Sequence, residues 1–292
     1  MRIEFKIRKM KKILLLVLLS LISITSFSQK TNKKGSYYIT WGYNRSTYAN
    51  SDIRFVGPGY DFTLLDAKAL DFPTPLSEFK TYVDPGLLSI PQFNFHGGYF
   101  IKDNLSISIG WDHMKYVVTD GQTVKVNGYI NAQTSSPAIT VDKAYADKTF
   151  IQTPLVLDPE KFVHLEHTDG YNYASIEIEH YNPLYQSPKS RFAIDWMQGA
   201  GVGALVPRSD VHVFGVGQNN FWNLAGAGAS LKTGLKFNFS KLLFFETTFK
   251  TGATQLWDIH TIGRSVDHAE QSIYFAEFYG ALGFTIQGKS KQ

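Results

Sequence analysis

Apolar and polar residues alternate one for one along much of the chain. Leu105, Ile107, Ile109 and Trp111 interleave with Ser106, Ser108, Gly110 and Asp112. Leu231, Thr233, Leu235, Phe237 and Phe239 oppose Lys232, Gly234, Lys236 and Asn238, while Leu243, Phe245 and Phe249 oppose Glu246, Thr248 and Lys250. A period of two belongs to an extended strand, whose successive side chains leave on opposite faces. Each segment therefore has one greasy and one polar face. On this basis the chain predicts eight strands, at residues 36–48, 92–101, 105–117, 171–182, 191–205, 222–239, 242–256 and 272–286.

The connections between these segments alternate in length. About 43 residues follow the first strand and only Lys102-Asp103-Asn104 the second; about 53 follow the third, and a turn of eight rich in Pro and Ser follows the fourth. About 16 residues, then Ser240-Lys241, then about 15 complete the series. Transmembrane β-barrels combine an even number of antiparallel strands of about ten residues with short periplasmic turns and longer outside loops. Aromatic residues agree with that plan: Trp41, Tyr43, Tyr99, Trp111, Tyr116, Tyr181, Trp196, Trp257 and Phe284 fall toward strand ends, where amphipathic rings sit at headgroup level.

In leader, strand length, loop alternation and aromatic placement, residues 36–286 resemble the small Gram-negative outer-membrane β-barrels of the OmpA, OmpX and OmpW kind. No peptide motif carries the likeness, so no residue role comes with it. The resemblance implies an all-β fold, a closed antiparallel transmembrane barrel of eight strands, in contact with outer-membrane lipid. The last strand, Ser272 to Ile286, looks like the closing strand that the outer-membrane assembly machinery reads, although Gln287 to Gln292 add a polar tail where such chains commonly stop at an aromatic residue. Two alternatives stay open at this level. A secreted soluble barrel or sandwich would turn the same faces the other way. A hairpin at residues 52–68, around Gly57-Pro58-Gly59, would make ten strands, but Asp52, Arg54, Asp61 and Asp66 suit an extracellular hairpin better than a lipid-facing one.

The first residues change the charge. Arg2, Lys6, Arg8, Lys9, Lys11 and Lys12 precede an apolar block from Ile13 to Ile24, and the small residues Ser26 and Ser28 bracket Phe27. This is the pattern of a signal peptide over residues 1–28, cleaved between Ser28 and Gln29 to leave a barrel domain of residues 29–292. Six positive charges and one negative leave with it, so a formal net charge of +4 becomes 4 − 5 = −1. With the basic character confined to the leader, nucleic acid is not an expected partner. The absence of cysteine excludes disulfides, thiolate metal sites and thiol catalysis.

If the apolar faces meet lipid, the lumen receives Asp112, Glu177, Glu179, Asp195, Glu246 and Glu277 together with Lys232, Lys236 and Lys250. These charges could select ions or solutes at a constriction, or they could plug a barrel just wide enough for its own side chains. Asp112 and His113, adjacent in a strand, point to opposite faces and cannot pair with each other. In His164-Leu165-Glu166-His167-Thr168-Asp169-Gly170, His164 and Glu166 share one face and His167 and Asp169 the other. Such spacing supplies at most two ligands where a catalytic metal wants three, so no metal or cofactor is assigned and the segment reads as a loop turn at Asp169-Gly170. His113, His164, Glu166, His167 and Asp169 remain the rim candidates. No serine-hydrolase elbow or zinc-protease motif occurs, and the chain is not expected to be an enzyme. Residues 49–91 and 118–169, rich in Tyr, Phe and Pro, predict an ordered extracellular cap able to bind a ligand or partner protein. The expected role is structural or surface-interacting, with the lumen largely occluded; a narrow channel and a lipid-modifying rim enzyme are the alternatives.

Overall fold

The computed structural model describes residues 32–134, 139–188, 192–263 and 265–287; the leader, its cleavage point and the tail from 288 onward lie outside the described residues. In chain order the elements are β1 (Tyr37–Tyr48), β2 (Ser51–Gly57), β3 (Tyr60–Ala67), β4 (Ala69–Leu70), a short helix α1 (Phe79–Val83), β5 (Phe93–Lys102), β6 (Leu105–Val118), β7 (Thr123–Ile130), β8 (Gln133–Thr134) and β9 (Ile139–Thr140). They continue with β10 (Lys148–Val156), β11 (Val163–Gln186), β12 (Ala193–Leu205), β13 (Arg208–Val213), β14 (Val216–Trp222), β15 (Gly226–Asn238), β16 (Leu243–His260) and β17 (His268–Ile286).

Eight of these pair side by side in the order β1-β5-β6-β11-β12-β15-β16-β17. β17 returns to β1, with partners running from Tyr37↔Ile286 to Tyr48↔Phe275, and closes the antiparallel ring. The short turns β5–β6, β11–β12 and β15–β16 lie at the end where β1 begins and β17 finishes. Asn104 supports the first of them in the left-handed region, with φ 62°. All long connections leave the opposite end.

Side chains on the ring's outer face are apolar and exposed, among them Ile109 (63%), Ile176 (61%), Val202 (64%), Leu231 (64%) and Phe278 (57%). In water such a belt is a liability, whereas hydrocarbon welcomes it and tolerates only a ring without open edges. The faces are therefore those of a transmembrane barrel and not of a soluble one. The two tyrosines Tyr116 and Tyr181, expected at headgroup level, instead point inward and are buried; the remaining rings of the aromatic set do not share this inward position.

Above the belt the pattern inverts. Along β17, Tyr274, Phe278, Leu282 and Ile286 are exposed, while Glu277 and Tyr279 are buried between them. Toward the long-loop end of the same strand Ile273 and Ala269 become the buried residues and Ser272 is exposed. Water has replaced lipid outside, so the core must turn apolar. There the wall extends into a cap: β2 pairs with β17 over His268↔Val56 to Gln271↔Ile53, and β3, β7 and β10 follow in order. On the other side β11 carries the hairpin of β13 and β14. Phe55 stacks on Phe62 and Phe62 on Phe162, at 5.2 and 5.4 Å between ring centroids, inside a core that includes Leu64, Val126, Leu165, Val211 and Ile259. At the β2–β3 turn Gly59 takes φ +89°, and a Cβ there would lie 2.8 Å from the carbonyl oxygen of Gln133. Residues 52–68 are thus an extracellular hairpin and the ring has eight strands.

Two expectations about the long loops are corrected. The cap segment 118–169 contains β7 to β10 and the first residues of β11, which starts at Val163 and not near 171. Asp169-Gly170 is no loop turn: it lies in a bulge of β11, where the register against β6 shifts between His167 and Tyr171 and Gly170 has φ +134°.

The glycines of β12 have a steric reason. A Cβ on Gly201 would come 2.7 Å from Cγ of Glu177, and one on Gly199 3.1 Å from Cε of Lys232. From Gly199 to Gly201 the inner face of β12 is bare because long charged side chains from β11 and β15 cross it. Gly201→Val is expected to lower stability by about 1–3 kcal/mol through overpacking, while Ala200→Val, one position away on the lipid face, should change it by less than about 0.5 kcal/mol. Urea titration of the refolded protein in micelles, read by the gel shift between unboiled and boiled samples, checks this; equal losses would rule out crowding as the cause.

Candidate functional site

The ring interior holds one continuous polar cluster. Lys250 pairs with Asp112, and its Nζ lies 2.7 Å from Glu177 Oε1 and 3.9 Å from Glu277 Oε1. Lys232 joins Glu177 to Glu179, with 2.5 Å to Glu179 Oε1. His96 Nε2 sits 3.0 Å from Asp112 Oδ1, and Asn94 Nδ2 donates to Asp112 Oδ1 at 2.7 Å and to Glu277 Oε2 at 3.2 Å. Ser108 Oγ donates to Glu179 Oε1 at 3.0 Å, and the hydroxyls of Ser106 and Tyr38 bond the other oxygen of the same carboxylate. β1, β5, β6, β11, β15, β16 and β17 each send a side chain into this centre. β12 sends glycines, and the pairs span the bore.

A second layer lies toward the short-turn end. Lys236 Nζ is surrounded by the rings of Phe244, Tyr181, Phe100 and Tyr38, at 4.1, 4.9, 5.3 and 5.6 Å from their centroids. It donates to Asn32 Oδ1 at 2.8 Å, and Asn32 Nδ2 in turn donates to Asp195 Oδ2 at 2.9 Å. Asn238 Nδ2 donates to the same oxygen at 2.8 Å. A cation held by aromatic faces and one amide is stabilised without a full ion pair. Glu246 is buried on this face too.

All nine charged positions anticipated for the lumen are on the ring's inner face and no more than 6% exposed. Sequence reasoning missed His96, Asn94 and Tyr38, whose polar atoms join the cluster. His96 follows Asn94 by two positions, a signal that was available. Asn32, before the first strand, carried none.

The rim candidates separate. His113 stacks on Phe93 and its Nδ1 meets Asn172 Oδ1 at 2.8 Å, away from Asp112. His164 and Glu166 do share a face, with 3.6 Å between Nε2 and Oε2. His167 and Asp169 do not, because the bulge breaks the alternation: His167 is buried with Nδ1 2.8 Å from Ser209 Oγ, while Asp169 is exposed and 3.9 Å from Arg208. Glu166, and then Asp120 beside the other nitrogen, hold the His164 proton up to about 9, and His164 keeps the Glu166 carboxyl below its ordinary range. Burial pushes His167 down to about 4. Asp210 and His212 of β13, which no sequence pattern tied to β11, face this pair; burial raises the Asp210 carboxyl.

A closed eight-stranded ring with an apolar outer belt, a polar interior and loops long at one end only defines an outer-membrane β-barrel protein. No family model matches the chain, and no curated protein matches it either. Among solved structures it is similar to the outer membrane protein OprG of Pseudomonas aeruginosa, at 9% identity and TM-score 0.40, covering 89% of this chain and 100% of that one. It is also similar to Ail, the attachment invasion locus protein of Yersinia pestis, at 11% identity and TM-score 0.32, covering 87% and 100%. A third is the outer membrane protein AlkL, at 10% identity and TM-score 0.37, covering 89% and 94%. Scores this low carry no functional argument, and the barrel assignment stands on the ring's own pairing and faces.

Two expected outcomes follow from this geometry. Lys250→Ala would leave Glu277 with no cation among the described residues and Asp112 with only His96 and Asn94 in the bore and is expected to cost about 3–5 kcal/mol, whereas Arg54→Ala, at the exposed Arg54–Asp61 pair, should cost about 1 kcal/mol or less. Urea titration of both variants decides whether burial sets the difference. Neutral, buried His167 contributes stability that is fully present above its ordinary value near 6.5 and is lost as pH falls toward 4, where the unfolded chain binds a proton the folded cap refuses; the span is about 3 kcal/mol. His167→Gln is therefore expected to flatten the acid limb between pH 6.5 and 4 in cap hydrogen exchange, and an unchanged limb would assign it to other groups.

Proposed function

We propose that the protein is a non-catalytic outer-membrane barrel whose lumen is sealed by its own side chains and whose extracellular cap presents the recognition surface. One observation carries this reading: seven ring strands contribute to a single buried cluster in which Lys232 and Lys250 bridge four carboxylates. A plug built of paired charges resists passage, since moving an ion through it means breaking pairs in a low-dielectric bore. The cap supports the second half of the reading. It has its own apolar core, so residues 49–91 and 118–169 hold a defined outer surface able to meet a ligand or a partner protein.

A cation-conducting channel is the second reading, favoured by the imbalance of six carboxylates against three lysines on the inner face. The rim-enzyme reading is weaker. His167 does meet a serine hydroxyl, but Ser209 is 1% exposed beneath the cap, out of reach of a lipid substrate. Export through the leader, and insertion by the assembly machinery through the β17 closing strand, belong to the same proposal.

Planar bilayers holding verified, folded protein are expected to stay silent under applied voltage. Discrete conductance steps in the parent protein would overturn the sealed lumen and favour the channel.

A further inference from the structure

On the outer face of the cap, His164 and Glu166 of β11 lie directly across from His212 and Asp210 of β13. Two rungs of one antiparallel ribbon thus present two imidazoles and two carboxylates on the same side, with opposed Cβ atoms about 5 Å apart. The ribbon cannot turn this face away, because Leu165, Val211 and Val213 on its other side are buried in the cap core. The imidazole centroids are 5.8 Å apart, and His212 Nε2 is 2.9 Å from Asp210 Oδ1. One donor atom each of His164, Glu166 and Asp210 lies within 4.8 Å of the others. The ribbon edges an open cleft of about 460 Å³ that Asp120 and Glu160 also line.

A second feature points the donors. Asp120, from the turn after β6, is 3.0 Å from His164 Nδ1. A carboxylate on the far ring nitrogen fixes the tautomer and orients the near nitrogen as a ligand. Glu166 is set in the same way, since Thr168 Oγ1 donates to its Oε1 at 2.6 Å and leaves Oε2 on the His164 side. The cap contains a natural contrast. His260 and His268 are also cross-strand partners with carboxylates two positions away, yet there Arg54 already supplies a cation, 3.5 Å from Glu270.

We propose that His164, Glu166, Asp210 and His212 form a binding site for one divalent transition-metal ion of the zinc class, with Asp120 as the outer partner of His164. Two imidazoles and two carboxylates are the donor set of a borderline metal, whereas calcium and magnesium select oxygen alone. The i, i+2 spacing in β11 supplies only two ligands; β13 supplies the other two. An ion there ties β13 to β11, and through Asp120 it draws in the turn after β6. The site is independent of whether the lumen is sealed.

The test uses the mature protein refolded in micelles, stripped with chelator and titrated with Zn²⁺ alone against a competing indicator. One ion per chain is expected. His164→Ala with His212→Ala should weaken binding at least about 30-fold, and Asp120→Asn about 10-fold, as removal of an outer partner does. His260→Ala with His268→Ala should leave binding unchanged. All variants are scored only where the gel shift on boiling shows a folded barrel; His212→Ala alone, which leaves His164 with both its carboxylates, serves if the double variant does not fold. The visible bands of bound Co²⁺ should vanish with the same variants. Zinc affinity or cobalt bands that survive loss of His164 or His212, or that move instead with His260 and His268, would overturn the site.

Discussion

Backbone hydrogen bonding inside hydrocarbon is the constraint on which everything else here depends. A strand edge facing lipid would leave a row of amide and carbonyl groups with no water to satisfy them, at several kcal/mol each. The pairing of β17 with β1 over twelve residues removes both edges at once. Closure then dictates the rest: eight strands make a bore that side chains can fill, and every residue in the membrane span must belong to one of two surroundings.

Those surroundings exchange character along the length of single strands. In the lower part of β17 lipid lies outside and polar groups lie inside. Beyond Tyr274 water lies outside, and Ile273 and Ala269 turn into an apolar core shared with β2, β3 and β11. The protein is in this sense two solutions to the burial problem built on one wall. In the bore, stability comes from pairing charges that lipid would not accept; in the cap it comes from aromatic and aliphatic packing that the bore lacks. The bare glycine stretch of β12 connects steric and electrostatic demands, since Glu177 and Lys232 need the room that Gly201 and Gly199 leave.

The division also separates two kinds of titratable group. Six of the nine charges of the bore are fixed in a mutually paired cluster, and all nine have little access to solvent. The histidines of the cap fall into unlike settings a few residues apart, some facing water and others enclosed. His164 lies between Asp120 and Glu166, while His167, three positions on, is enclosed among Tyr116, Tyr171 and Ser209. The bulge at Asp169-Gly170 is where the strand leaves the ring's register for the cap's.

Much of this was legible in the chain itself. Strict alternation in segments such as Leu105 to Asp112 determined strands with two unlike faces, and the alternation of long and short connections determined a ring with one looped end. The nine charges assigned to the inner face followed from parity alone, because a period of two leaves each side chain only two directions. Parity fails where a strand is irregular. His167 and Asp169 were misplaced for that reason, and nothing local announced that β11 would begin at Val163 and not beyond Gly170. Pairing across the chain was likewise invisible: His164 meets His212 and His96 meets Asp112 only because particular strands became neighbours in a particular register. Sequence decides which face a residue takes, since that is a property of one strand. Tertiary structure decides which residues share a site, since register and closure are properties of the whole ring.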